Sequence, residues 1–141
     1  MNIKTICPIY FSPTKTTRNV LLAIAHAIQA PLTEQIDLTL SDSDILVCRE
    51  FSNDLAIIGS PVYAGRLPAV MLSRFKQIKG HGRPAVIVVV YGNRAYEDAL
   101  IELKTPLGSG LTYGYLMLIY RHGSKTPHPF SFCPVPRYPS R

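Results

Sequence analysis

The chain has 141 residues, 47% of them hydrophobic and 17% charged, which is the composition of one globular, soluble domain. Its three cysteines are scattered and form no Cys-x-x-Cys pair, which argues against a disulfide framework, a zinc site or an iron–sulfur cluster within the chain. The net charge is +6, but residues 103–141 carry five Lys or Arg and no acid. The excess charge therefore lies in the last segment rather than on a folded basic face, which argues against nucleic-acid binding.

Neither a membrane span nor a secretory leader is predicted. The apolar run at residues 85–91 is far shorter than the roughly 20 residues that a membrane-spanning helix needs. The first four residues, Met-Asn-Ile-Lys, contain no part of a signal peptide's apolar stretch or cleavage site. We therefore expect a cytoplasmic protein that does not associate with a membrane.

Apolar residues recur at strand or helix spacing along most of the chain. The predicted elements, in order, are strand 3–11, helix 17–30, short strand 33–38, a loop or short helix at 41–51, strand 55–60, helix 68–78, strand 85–91, helix 96–104 and a last strand at 116–120. Residues 85–91 are almost uniformly β-branched, which is typical of a strand covered on both faces. Because strands alternate with helices, we predict an α/β, doubly wound, parallel sheet.

A turn rich in hydroxyl groups, here called the hydroxyl turn, joins the first strand to the first helix. It consists of Ser12, Pro13, Thr14, Lys15, Thr16 and Thr17. Backbone N–H groups and the positive end of a helix converge at such a junction, which favours a phosphate. The turn lacks the glycines of a dinucleotide loop and the Gly-Lys-Ser/Thr ending of a nucleoside triphosphate loop, so it suits a monophosphate held mainly by neutral donors. The alternative is a serine N-cap followed by solvated threonines.

Two further loops are predicted at the same edge of the sheet, since ligands of such folds bind beyond the carboxyl ends of the strands. The candidate binding residues of the second loop are Pro61, Val62, Tyr63, Ala64 and Gly65, and those of the third are Tyr91, Gly92, Asn93, Arg94, Tyr96 and Asp98. Aromatic loops beside a phosphate turn indicate a flat, aromatic, phosphorylated ligand. The alternative for each loop taken alone is ordinary turn chemistry.

These three loops resemble those of flavodoxin-like proteins. The resemblance is greatest to the branch whose flavodoxin domain precedes a ferredoxin-type domain with two 4Fe-4S clusters. The hydroxyl turn is similar to the flavodoxin Thr-x-Thr-Gly-Asn-Thr loop, with Lys15 in place of the glycine, and the runs at 59–68 and 90–100 look typical of that branch. The resemblance implies an FMN-binding domain at residues 1–105, with a five-stranded sheet of order 2-1-3-4-5. It also implies that the candidate residues of the three loops bind the cofactor, with Tyr63 and Tyr96 against the flavin ring.

The function implied by the resemblance is electron transfer through the flavin, without a catalytic side chain and without a metal. The implied partner is a redox protein or an iron–sulfur (ferredoxin) domain. Two alternatives stay open. One is an FMN-dependent NAD(P)H oxidoreductase, and the other is a remnant that no longer binds flavin.

The resemblance ends near Lys104, and residues 106–141 form a divergent, basic segment that contains six of the twelve prolines. That proline density is incompatible with a helix, so we predict that the last helix of the fold is missing. One interpretation of this segment is a shifted reading frame or a premature end, and the alternative is a Pro-rich docking tail with an extended conformation. We expect residues from 106 onward to contribute little to the fold apart from the strand at 116–120.

Overall fold

Strands and helices alternate along the chain in the structure, a computed structural model that describes residues 3–32, 34–40, 49–50, 54–79, 82–91, 99–104 and 111–119. The elements are β1 (Ile6–Tyr10), α1 (Thr16–Ile28), β2 (Ile36–Asp37), β3 (Arg49–Glu50), β4 (Leu55–Pro61), α2 (Ala69–Phe75), β5 (Ile78–Lys79), β6 (Arg83–Tyr91), α3 (Ala99–Lys104) and β7 (Leu111–Ile119). No helix in these ranges is both long enough and apolar enough to cross a membrane.

The main sheet has five strands in the order β2-β1-β4-β6-β7, and every neighbouring pair is parallel. Counted among themselves, these strands follow the order 2-1-3-4-5, which confirms the predicted doubly wound topology. All seven residues of β4 are buried, as expected for a central strand covered on both faces. The strand order reverses between β1 and β4, so the carboxyl ends of these two strands border the crevice where ligands bind in such sheets.

Helices cover both faces of the sheet. On one face, Met71 and Phe75 of α2 and Leu103 of α3 pack into a cluster with buried strand residues such as Ile58 and Ile87. On the other face, α1 contributes Leu21 and Ala25 to a second cluster that includes Ile57 and Val88. The apolar spacing that predicted the first two helices includes their buried residues, but it also includes Val70, which is 54% exposed, and Ile78, which lies in β5.

The contact between α1 and β4 depends on Gly59. A Cβ atom at this position would lie 2.3 Å from Leu21 Cδ1 and 2.9 Å from Thr17 Cγ2, which is closer than real Cβ contacts come. Gly59 pairs with Tyr10 of β1 on one side and with Val88 of β6 on the other. The missing side chain therefore lets the first turns of α1 lie directly on the central strand.

A second, two-stranded sheet joins β3 to β5 in parallel, with Arg49 opposite Ile78 and Glu50 opposite Lys79. This pairing corrects two expectations. Residues 49–50 form a strand, whereas residues 41–48 and 51 of the segment predicted as a loop or short helix lie outside the described residues. The second helix ends at Phe75 rather than at residue 78, because Ile78 extends to pair with β3.

The other predicted bounds differ from the structure at element ends. Helix α1 stops at Ile28 rather than at residue 30, because Gln29 has a left-handed backbone (φ 60°) and donates its N–H to the His26 carbonyl at 3.0 Å. The first strand covers Ile6–Tyr10 of the predicted 3–11, and the second covers Ile36–Asp37 of the predicted 33–38. Helix α3 ends at Lys104 as predicted, and residues 96–98 of its predicted start are not among those described.

Strand β7 begins at Leu111, five residues before the predicted start at 116. It pairs with all nine residues of β6, from Arg83 opposite Leu111 to Tyr91 opposite Ile119. The expected last strand is therefore present and longer than predicted, since the free edge of β6 offers backbone partners along its whole length. Residues 120–141 lie outside the described residues, so the predicted loss of the last helix stays a prediction. The predicted domain boundary at residue 105 stays a prediction as well.

Candidate functional site

The hydroxyl turn leaves the carboxyl end of β1 and closes tightly before α1. The N–H of Lys15 donates to the Ser12 carbonyl oxygen at 3.1 Å, and Lys15 has a left-handed backbone with φ 62°. Helix α1 begins at the next residue, and its N-cap position is occupied by Lys15 without a side-chain cap. The turn is therefore closed by a backbone hydrogen bond, and the left-handed backbone at position 15 strains a lysine but not a glycine.

The outer surface of the hydroxyl turn carries hydrogen-bond donors that can face a ligand. The Thr14 and Thr16 hydroxyls are hydrogen-bonded to each other at 3.2 Å, and this pair is exposed. The first intrahelical bond of α1 runs from the Asn19 N–H to the Lys15 carbonyl, so the amides of Thr16 and Thr17 precede the helical ladder. Two amides and two hydroxyls at the positive end of a 13-residue helix form a favourable environment for an anion.

Ser12 lies inside the turn rather than on its outer surface. It is buried, its N–H donates to Thr39 Oγ1 at 2.8 Å, and its Oγ accepts the Arg18 N–H at 3.0 Å. Thr17 is buried as well, with its Cγ2 against the backbone of Gly59. Of the four predicted hydroxyl residues, Thr14 and Thr16 thus face outward, whereas Ser12 and Thr17 hold the turn on the sheet. Pro13 is exposed in the turn.

Two arginines that contact the hydroxyl turn or the segment bonded to it, Arg18 and Arg74, donate to protein groups. Arg18 Nε donates to the Tyr10 hydroxyl at 3.2 Å, and this hydroxyl donates to Gln35 Oε1 at 3.4 Å. Arg74 of α2 donates through Nη1 to the backbone carbonyls of Leu38 and Thr39. Lys15 is exposed. Among the described residues, the donors on the outer surface of the turn are therefore mainly neutral.

The second loop forms a tight two-residue turn directly after β4, here called the tyrosine turn (residues 63–66). The N–H of Tyr63 donates to the Arg66 carbonyl at 2.9 Å, and the N–H of Arg66 donates back at 3.1 Å. Both central residues have positive φ, 53° at Ala64 and 79° at Gly65, as a type I′ turn requires. The Tyr63 side chain is 50% exposed, so its ring is available to a ligand.

The tyrosine turn is connected to the strands and to α3. Before the turn, the Val62 N–H donates to the Val90 carbonyl at 2.9 Å, which ties it to the end of β6. After the turn, Glu102 of α3 accepts the Leu67 N–H through Oε2 at 2.9 Å and Arg66 Nε through Oε1 at 2.7 Å. These bonds lower the pKa of Glu102, the Leu67 amide first and then the Arg66 side chain. Sequence reasoning missed Glu102, because no local pattern links it to a turn 36 residues away.

The third loop begins at Tyr91, the half-buried last residue of β6, which packs against the cluster covered by α2 and α3. The other predicted residues of this loop lie outside the described residues: Gly92, Asn93, Arg94, Tyr96 and Asp98. The strands that precede the three loops are adjacent, with Tyr10 opposite Gly59 and Pro61 opposite Val90. The structure therefore brings the starts of all three loops to one edge of the sheet.

We also considered a reactive thiol and a metal site among the described residues. Cys7 is fully buried in β1, and burial raises the pKa of its thiol to about 12, so it stays protonated at neutral pH. The described ranges contain no group of three His, Cys, Asp or Glu residues that could hold a metal ion.

Solved structures of flavin proteins have the same fold as this chain. The apo form of the NADH:FMN oxidoreductase EMOB is 16% identical, with a TM-score of 0.61 over 82% of this chain and 75% of that one. A Fusobacterium nucleatum flavodoxin mutant bound to flavin mononucleotide is 16% identical, with a TM-score of 0.54 over 78% of this chain and 68% of that one. A flavodiiron core from Synechocystis sp. PCC6803 is 17% identical, with a TM-score of 0.58 over 83% of this chain.

This chain spans only 30% of the length of that flavodiiron core. No family profile matches the sequence, and no curated protein matches it either. At such low identities the similarity concerns architecture, and it agrees with the strand order. The chain has the flavodoxin-like fold.

Proposed function

We propose that this chain binds FMN and serves as a flavodoxin-like electron-transfer domain. The observation that carries the proposal is that the hydroxyl turn, with the exposed hydroxyls of Thr14 and Thr16, and the exposed Tyr63 follow neighbouring parallel strands at their carboxyl ends. The similar structures include a flavodoxin solved with FMN bound and an oxidoreductase that is named for FMN.

The residues present fit the two chemically different ends of FMN. Its phosphate suits the amides of Thr16 and Thr17 and the hydroxyls of Thr14 and Thr16, since these are donors at a positive helix end. Its flat ring suits Tyr63 and the backbone of the tyrosine turn, where Val62 and Gly65 lie close to the strand end. The predicted third-loop residues, Tyr96 among them, complete the proposed ring site.

When bound, FMN supplies one- or two-electron redox chemistry. The chain's own residues bind and orient it, and we assign no side chain as acid, base or nucleophile. Cys7, buried with a pKa of about 12, has no part in the proposal. The proposed partner is a redox protein or an iron–sulfur domain in the cytoplasm.

A second candidate function is an FMN-dependent NAD(P)H oxidoreductase. The similarity to an NADH:FMN oxidoreductase, with a TM-score of 0.61, favours it. Rapid mixing of the FMN-loaded protein with NADH or NADPH separates the two functions. Bleaching of the flavin absorbance by either nucleotide supports the oxidoreductase, whereas flavin that is reduced by dithionite but not by the nucleotides supports the electron carrier.

The proposed function is tested by titrating a fixed FMN concentration with the purified chain. Binding is expected to quench flavin fluorescence to a saturating endpoint at one FMN per chain. A folded chain, verified by circular dichroism, that leaves FMN fluorescence unchanged would identify a remnant that no longer binds flavin.

A further inference from the structure

We propose that Arg74 is a positioning residue for the phosphate site, acting from the opposite side of the hydroxyl turn through Thr39 and Ser12. This inference rests on the proposed FMN binding and assigns a role to a residue in α2, which no binding motif of the sequence contains. A continuous series of hydrogen bonds runs from the Arg74 guanidinium through Thr39 to the hydroxyl turn.

The first link joins α2 to the segment that follows β2. Arg74 Nη1 donates to the carbonyl oxygen of Leu38 and, at 2.8 Å, to that of Thr39. A single charged donor thus holds two consecutive carbonyls, and hydrogen bonds from a charged group are stronger than those between neutral groups. The segment is also held by the Leu38 N–H, which donates to the Tyr10 carbonyl at 2.7 Å, and by the Thr39 N–H, which donates to Asp37 Oδ1 at 2.8 Å.

The second link joins Thr39 to the hydroxyl turn. Thr39 Oγ1 accepts the Ser12 N–H at 2.8 Å. Ser12 in turn fixes both sides of the anion site, because its carbonyl accepts the Lys15 N–H at 3.1 Å and its Oγ accepts the Arg18 N–H at 3.0 Å. The amides of Thr16 and Thr17 lie between these two anchored positions.

The geometry has a consequence for ligand affinity. Without Arg74, the Thr39 segment loses two of its restraints, and Ser12 loses the fixed acceptor for its N–H. The donors of the hydroxyl turn then have to be ordered when the phosphate binds, which weakens binding. The tyrosine turn is held separately, by Glu102 and by Val90, so contacts to the flavin ring are expected to be unaffected.

The test compares FMN with riboflavin, which has the same ring and no phosphate, on the full chain. Arg74→Met is expected to weaken FMN binding about tenfold and to change riboflavin binding less than about twofold. Arg74→Lys keeps the charge but loses the planar donor, so it is expected to give an intermediate loss. Thr39→Val breaks the same series at the next link and is expected to show the same FMN-selective loss.

Arg83→Met is the matched control. Arg83 begins β6 at the far end of the sheet, and its contact there is Asp54 at 3.8 Å. This variant is expected to leave both affinities unchanged. If Arg74→Met does not fold, Thr39→Val alone decides the question.

Equal effects on FMN and riboflavin, or no effect on either, would overturn the positioning role. Failure of the proposed function looks different. In that case the unmodified chain binds no FMN, or it binds riboflavin as tightly as FMN, before any variant is compared.

Discussion

The carboxylate of Glu102 accepts the backbone N–H of Leu67 at 2.9 Å, which fastens α3 to the residue that follows the tyrosine turn. The other oxygen of the same carboxylate pairs with Arg66 within the turn. Helix α3 therefore fixes the position from which Tyr63 is presented, although 35 residues separate Glu102 from Leu67 in sequence.

Replacing Glu102 tests this connection. Glu102→Gln is expected to destabilise the protein by about 1 kcal/mol, because the Leu67 amide loses a charged acceptor. Arg66→Met is the comparison. It is expected to cost less, since the Arg66 side chain is 75% exposed and its ion pair is screened by solvent. Urea unfolding at neutral pH measures both changes, and equal losses in the two variants would show that the Leu67 bond is unimportant.

The same carboxylate predicts a pH dependence. The pKa of Glu102 is lowered in the folded state from its ordinary value of 4.5, so folding favours the ionised form. Its contribution to stability is therefore complete above pH 4.5 and is lost as the pH falls through the folded-state pKa. The unfolding free energy of Glu102→Gln, measured over the same acid range, is expected to fall less steeply than that of the unmodified protein. Parallel curves would contradict this assignment.

Gly59 predicts a steric effect at the contact between α1 and β4. Gly59→Ala places a methyl group 2.3 Å from Leu21 Cδ1, so it is expected to destabilise the protein by about 1–3 kcal/mol. The double variant Gly59→Ala with Leu21→Ala is expected to be more stable than the sum of the single effects predicts, because the methyl group occupies part of the vacated space. Additive losses in thermal unfolding would show that the close contact is relieved in another way.

Replacing Lys15 is expected to change the stability of the protein and its affinity for FMN in opposite directions. Lys15→Gly removes the strain of a left-handed backbone and is expected to stabilise the protein by about 0.5–1 kcal/mol. Gln29→Gly, with φ 60° at the opposite end of α1, is the matched control and is expected to stabilise similarly. Only Lys15→Gly is expected to weaken FMN binding, since it alone removes a cation from the hydroxyl turn. Equal FMN affinities in the two variants would remove Lys15 from the phosphate site.

Replacing Tyr63 is expected to weaken binding of the flavin ring without lowering the stability of the protein. Its side chain is 50% exposed, so Tyr63→Ala is expected to change the unfolding free energy by less than about 0.5 kcal/mol. It is expected to weaken FMN and riboflavin equally, by about threefold to tenfold, because it removes an aromatic contact to the shared ring. Tyr63→Phe keeps the ring and is expected to retain the affinity. A loss that affects FMN alone would place Tyr63 at the phosphate instead.

Local patterns predicted the elements better than the contacts between them. The apolar spacing located β1, α1, β4 and β6, and the resemblance to flavodoxin-like proteins supplied the strand order that the structure confirms. The early start of β7 was missed because Gly114 interrupts the strand pattern and the Gly-Ser-Gly run at 108–110 directly before it is typical of turns. Its extent is set by pairing with β6, which no local pattern reports.

The hydroxyl turn was predicted from its residue types. Which of its hydroxyl residues are buried and which are exposed was not predicted. The burial of Ser12 and its hydrogen bond to Thr39 depend on the position in space of the segment that follows β2. The hydrogen bond from Arg74 to the Thr39 carbonyl depends on how α2 packs. Both contacts join residues more than 25 positions apart in sequence. Such tertiary contacts decide which of several chemically equivalent hydroxyls face outward.

The most direct test of FMN binding at this site is a set of amide NMR spectra of the isotope-labelled chain, recorded with inorganic phosphate, with riboflavin and with FMN. Phosphate is expected to shift the amides of Thr16 and Thr17, riboflavin those of Tyr63 and Gly65, and FMN both groups together. Shifts from FMN that spare the hydroxyl turn, or that fall on residues away from both turns, would contradict the account.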